Sequence, residues 1–152
     1  MTEAAAEIDR RAARVLLLDP SGRVLLLRGC DPARPERRYW FTVGGGLETG
    51  ESLTDAAVRE VYEETGLRIT PADLVGPVRT DHVEFPFDGQ WYSQEQSFFI
   101  VRADAFTADL TNLADYEVTS VDTARWWSAD ELAATAEVFY PADLADLLRG
   151  VG

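Results

Sequence analysis

The chain has no lysine: all 14 of its basic residues are arginine, set against 27 Asp and Glu, and the net charge is −13. A surface this acidic repels other polyanions, so the expected partners include neither nucleic acid nor membrane. Cysteine is almost absent. Cys30 alone permits no internal disulfide and fits a reducing, cytoplasmic setting. The stretch MTEAAAEIDRRAARV has no apolar run before Val15, so it reads as neither signal peptide nor membrane span. Histidine is also single, at His82, and no Ser/His or Cys/His pair suggests a covalent nucleophile.

What is present suits one globular domain spanning residues 1–152, with residues 1–10 expected to be a flexible N-terminal segment. Residues 14–27, RVLLLDPSGRVLLL, hold two apolar runs around Asp19-Pro20-Ser21-Gly22, a type I turn signature, and predict a hairpin. Residues 28–38, RGCDPARPERR, form an arginine-rich loop in which Arg28 and Arg38 are candidates for phosphate contact; a merely solvated loop is the competing reading. The aromatic strand YWFTV follows. Trp40 there suits either a core position or a base-stacking one. Asp88-Gly89 predicts a second hairpin, with Glu84 opposite Ser93 and His82 opposite Glu95. Ser128-Ala129-Asp130-Glu131 is a capping box, and a last helix is expected from Pro141 through Leu144, Leu147 and Leu148. Hairpins interspersed with a few helices imply an α+β fold with a mixed sheet packed by helices.

One segment stands out, GGGLETGESLTDAAVREVYEETGL at residues 44–67. Ser52 is an N-cap and Gly66 a stop, which predicts a helix from Leu53 to Thr65. On that helix Glu60, Glu63 and Glu64 fall within roughly a 100° arc, where like charges repel. Ala57, Val58, Val61 and Thr65 make the adjoining arc that must face the core, while Arg59 and Tyr62 are expected to point elsewhere. The acidic arc therefore borders the buried stripe, and Glu64 is nearest to it. Clustered carboxylates at such a margin destabilise the fold unless a cation compensates. Hard oxygen ligands suit Mg²⁺ or Mn²⁺. The glycines Gly44, Gly45 and Gly46 would let a backbone carbonyl and a substrate come close to the ion.

The same stretch resembles the signature of the Nudix hydrolases, G-x₅-E-x₇-R-E-U-x-E-E-x-G-U with U a bulky aliphatic. Gly45, Glu51, Arg59, Glu60, Val61, Glu63, Glu64, Gly66 and Leu67 occupy every specified position. The resemblance implies an α/β/α sandwich around a mixed sheet, with the signature forming a loop–helix–loop. It implies hydrolysis of a nucleoside diphosphate linked to another moiety, such as a nucleoside triphosphate, ADP-ribose or a nucleotide sugar. Glu60, Glu63 and Glu64 would hold the ion with the Gly45 carbonyl, and Glu51 and Arg59 would orient the site through a salt bridge. Gly44 and Gly46 would lie against the substrate. The general base varies within the family between a glutamate of the signature helix and one from a downstream loop; the downstream candidates here are Glu117, which is preferred, and Glu95. Self-association as a homodimer stays open. A nucleotide-sensing module without catalysis is the main alternative. Isomerase chemistry on an isoprenoid diphosphate would need a pocket cysteine, and Cys30 lies in the arginine loop instead.

Overall fold

The structure is a computed structural model that describes residues 7–113 and 120–151. Among these residues seven strands form one mixed sheet: β1 (Glu7–Leu18), β2 (Val24–Cys30), β3 (Arg38–Gly46), β4 (Val75–Phe87), β5 (Gln90–Arg102), β6 (Thr123–Trp127) and β7 (Phe139–Tyr140). Helix α1 (Leu53–Thr65) follows β3; α2 (Ala129–Ala134) and α3 (Leu144–Val151) lie near the C-terminus. The pairing runs β4-β5-β1-β2-β3-β7, with β6 on β2 and a further β1–β3 pairing. Because β1, β2 and β3 pair mutually, the sheet curls on itself. The β1–β5 and β3–β7 pairs are parallel and the others antiparallel.

Strand alternation divides the core in two. Val15 and Leu17 of β1, Val43 of β3 and Phe99 and Val101 of β5 pack on Ala56, Ala57 and Val61 of α1. Leu16 and Leu18, Leu26, Trp40, Phe98 and Ile100 face the other way, onto Leu132 of α2 and Leu144 and Leu148 of α3. Sheet between helical layers is the sandwich expected. Val58, assigned to the buried stripe of α1, is only half-buried, and Ala56 takes its place.

Local chemistry accounts for most boundaries. Ser52 accepts a hydrogen bond from the Asp55 amide, and Gly66 ends α1 at φ 80°. Asp88 and Gly89 both take positive φ, 50° and 78°, as a tight hairpin turn requires. The resulting register sets His82 opposite Glu95 and Glu84 opposite Ser93. Two expectations need correction. Residues 7–10 are not loose: they belong to β1 and pair with Trp91–Gln94 of β5, which gives their backbone groups ladder partners. The last helix starts at Leu144 rather than Pro141, with the Leu144 amide bonded back to the Pro141 carbonyl as the chain turns into it. Among the described residues, no helix is long and apolar enough to cross a membrane.

Candidate active site

The site forms where β3 runs out into the loop before α1. Glu51 accepts two hydrogen bonds from Arg59, from Nε at 2.7 Å and from NH2 at 2.9 Å. The Arg59 NH2 also donates to the Gly46 carbonyl at 3.1 Å, and the Glu48 amide donates to Glu51 at 2.9 Å. This network ties residues 46–51 to the first turns of α1. The hydrogen bond to Arg59 draws the Glu51 carboxyl below its usual range, and the Glu51 partner likewise drives the Arg59 guanidinium upward.

Arg59 does not point away from the carboxylates, as its place on the helical wheel suggested. Its NH1 reaches back to Glu60 at 2.9 Å and Glu63 at 3.1 Å. A long side chain can bend across a helix turn, and two adjacent carboxylates supply the attraction. Glu64 escapes the crowding differently: its Oε1 accepts the Gly44 amide at 2.8 Å, inside the protein. Glu60 and Glu64 are each only 2% exposed. Glu63 stays partly exposed, and desolvation, then the neighbouring Glu60 charge, raise its carboxyl above the ordinary value.

The glycines fit closely. A Cβ on Gly44 would lie 2.1 Å from the Ala13 carbonyl oxygen, and its φ of 132° already excludes most side chains. A Cβ on Gly45 would lie 2.7 Å from Glu60 Oε1. The Glu60 carboxylate thus rests against the glycine backbone, and its other oxygen, Oε2, is buried without a hydrogen-bond partner. Among the described residues only Trp127 Nε1 shares that condition. An unpartnered carboxylate oxygen beside an open backbone is a fitting place for a cation. The donors are all hard oxygen, as Mg²⁺ or Mn²⁺ requires. Among the described residues, however, no three acidic, histidine or cysteine side chains converge as a ready-made metal cluster. Arg59 and the Gly44 amide engage the carboxylates instead.

The other candidate residues are placed as follows. Arg28 and Arg38 both clasp Asp122, at 2.9 and 2.8 Å. They sit near the far end of β3, opposite Trp40 and Cys30 in the ladders, so the structure does not bring them to the glycines. Trp40 is core: it is 5% exposed, edge-on to Trp127, with its Nε1 donating to Glu137. Glu95 is an exposed residue of β5, 3.8 Å from Arg11, on the α1 side of the sheet. Glu117 lies outside the described residues. Two arginines not singled out from the sequence do reach the glycine run. Arg14 NH1 donates to the Gly44 carbonyl at 3.0 Å and that of Thr42 at 3.3 Å. Arg10 stands over Gly46, its NH1 3.2 Å from where a Cβ would be. The spacing Arg10, Arg14, Leu16, Leu18 along one strand was the available signal.

Known proteins resemble this chain along most of its length. The family model described as NUDIX domain matches residues 9–148. An RNA pyrophosphohydrolase of Erythrobacter litoralis is 30% identical over 131 residues, covering 81% of this chain and 78% of its own length. One of the same name from Caulobacter vibrioides is 33% identical over 152 residues, covering 93% of this chain and 83% of its own. The crystal structure of a MutT protein from Methanosarcina mazei superposes with a TM-score of 0.65 at 21% identity, over 97% of this chain and 95% of that one. This chain belongs to the Nudix family and is a hydrolase of that family.

Proposed function

We propose that the protein is a metal-dependent pyrophosphohydrolase that cleaves a nucleoside diphosphate linked to another moiety, by attack of water at phosphorus. The observation that carries this reading is Glu60: a buried carboxylate pressed on Gly45, with one oxygen left without a partner. Glu60, Glu63 and Glu64, with the Gly45 carbonyl, would hold Mg²⁺ or Mn²⁺. A bound ion of that kind neutralises the diphosphate and makes water a stronger nucleophile.

The chain's own residues do the rest. Glu51 and Arg59 hold the loop against the helix, so the Gly45 backbone keeps its distance from Glu60. The absence of side chains at Gly44 and Gly45 leaves the loop backbone close to Glu64 and Glu60, where the substrate's bridging region would meet the carboxylates. A glutamate outside α1 takes the proton of the attacking water as the new phosphorus–oxygen bond forms and the bridging oxygen leaves with its phosphate. Glu117 is our first choice and Glu95, on the α1 side of the sheet, our second.

A second reading follows from the relatives named RNA pyrophosphohydrolase: the diphosphate could be the end of an RNA chain. The net charge of −13 opposes long contact with a polyanion, which favours the free nucleotide. The test is a panel of nucleoside triphosphates, ADP-ribose, nucleotide sugars and a 5′-triphosphorylated oligonucleotide, each with Mg²⁺, with Mn²⁺ and with chelator. In ¹⁸O water, label is expected in a phosphate product. A panel with no turnover at any metal concentration, while nucleotides still bind, would support the sensor alternative. Comparison of Glu117→Gln with Glu95→Gln assigns the base: a loss of about 10²–10⁴-fold marks it, and equal small losses return the role to a glutamate of α1.

A further inference from the structure

Side chains alternate along β3, so the glycine run has two sides. Gly45 faces Glu60 and α1. Gly44 and Gly46 face the side that, further along the sheet, carries Leu16, Leu18, Phe98 and Ile100 beneath α2 and α3. Towards the glycines this apolar face turns polar. Arg10, Ala12 and Arg14 continue it on β1, and Gln94 and Gln96 on β5. Ala12 pairs with Gln96 on one side and Gly46 on the other. Two residues with almost no side chain thus lie between the arginines, and the guanidinium groups flank a low strip of backbone.

The polarity of this strip is fixed from the arginine outward. Arg10 can only donate, so the Gln94 oxygen accepts from its Nε. The Gln94 amide nitrogen must then face Gln96, donating to its oxygen at 3.1 Å. That leaves the Gln96 amide nitrogen as the group it presents onward. Arg10 is further held over the Tyr92 ring at 4.7 Å. Arg14 is half-buried, spends NH1 on the two strand carbonyls, and has no carboxylate partner among the described residues. In a chain with 27 acids for 14 arginines, a cation with no acid beside it among the described residues is an unusual arrangement. Among the described residues the acid on this row is Asp81, opposite Gln96, and Arg79 holds it at 2.8 Å.

We infer that Arg10, Arg14 and Gln96 form a pre-set anion subsite for the part of the phosphate chain that lies beyond the metal-side glutamates, and that the protein therefore selects substrates with three phosphates over those with two and a sugar. This rests on the hydrolase reading above. A third phosphate supplies acceptor oxygens and negative charge to match a row of donors. A ribose or hexose in its place supplies hydroxyls that also need acceptors, and it leaves the half-buried guanidinium of Arg14 uncompensated.

The test needs no metal. With chelator present, calorimetric titration of the wild type with ATP, ADP-ribose and inorganic tripolyphosphate is expected to show ATP binding at least 10-fold tighter than ADP-ribose, and tripolyphosphate competing with ATP. Arg14→Gln should weaken ATP and tripolyphosphate by about 10- to 100-fold, the range of one charge-assisted hydrogen bond, and change ADP-ribose less than 3-fold. Arg14→Lys should recover part of the loss. Equal affinities in the wild type, or equal losses for both nucleotides in Arg14→Gln, would overturn the inference; the wild-type comparison stands even if a variant misfolds. Turnover measured in parallel separates the two readings. ADP-ribose as the best substrate removes the subsite and keeps the hydrolase, whereas selective binding without turnover under any metal does the reverse.

Discussion

The helices on the two sides of the sheet bury different things. On one side α3 presents Leu144 and Leu148, and α2 Leu132, to an apolar layer. On the other, α1 buries Ala56, Ala57 and Val61 but also Glu60 and Glu64, each 2% exposed. Packing alone explains the first side. It does not explain the second, because a buried carboxylate opposes folding unless its oxygens are satisfied, and Glu60 Oε2 is not. The difference separates residues that hold the fold from residues that the fold holds. It also explains why the acidic face borders the core rather than lying opposite it: the carboxylates must reach the glycine backbone, which is itself buried.

The strongest test of that contrast exchanges the two kinds of damage. Glu60→Gln keeps the volume and an oxygen for Arg59 while removing the charge. It should fold at least as well as the parent and lose more than about 100-fold in turnover, beyond the 10–100-fold typical for an outer-shell partner. Leu148→Ala should do the opposite, costing roughly 2–5 kcal/mol of stability with turnover per folded molecule kept. Thermal melting and steady-state kinetics on both proteins decide it. A Glu60→Gln protein that melts well below wild type would place Glu60 with the structural residues.

Much of this was legible from sequence, for reasons that were local. The bounds of α1 follow from Ser52 and Gly66, and the β4–β5 register from Asp88-Gly89, because caps and two-residue turns are decided by neighbouring residues. The spacing of the glutamates sets them on one helix, so their proximity needed no tertiary information. What could not be read depends on side-chain reach and on sheet curvature. Arg59 leaves its expected direction because Glu51, eight residues earlier, and Glu60 and Glu63 compete for it. Arg28 and Arg38, marked for phosphate, are bound to Asp122, nearly a hundred residues away from Arg28 in the chain. Arg10 and Arg14 reach the glycines only because β1 pairs with β3, a pairing that no local pattern announces.

A smaller effect is expected at Glu51, which belongs to neither helix and joins the loop to α1. Glu51→Gln loses the charge and one of the two oxygens that accept from Arg59, which costs about 1–2 kcal/mol at neutral pH and should lower turnover about 10-fold through the loosened loop. The sign with pH is set by the depressed carboxyl of Glu51. Its stabilising contribution is complete above the unfolded value of about 4.3 and disappears as pH falls through the lower, folded value. Wild type and variant melting curves should therefore begin to draw together as pH falls below about 4.3 and coincide once it passes the lower, folded value. A constant gap from pH 7 to pH 3 would mean that the hydrogen bonds, and not the charge, hold the loop.

The smallest expected effect, and the one that separates a metal site from a solvated acidic face, is at Glu63. Its carboxyl is raised by desolvation and by the Glu60 charge, against the pull of Arg59. A carboxylate raised in the folded state adds nothing below its unfolded pKa and destabilises increasingly as pH rises past it, with the full penalty above the folded value. Without metal at pH 7, Glu63→Gln should then melt slightly higher than wild type, by ~2–4 °C, the scale of about 1 kcal/mol in a domain of this size. The advantage should vanish below about pH 4. Mg²⁺ or Mn²⁺ should reverse the order, because an ion that binds only the folded protein stabilises it by mass action, and the variant lacks one of the proposed ligands. The reversal should itself fade on acidification, as protons compete with the ion for the same oxygens. If metal raises both melting temperatures equally, or neither, then Arg59 alone neutralises these glutamates and the buried charge of α1 has a structural origin.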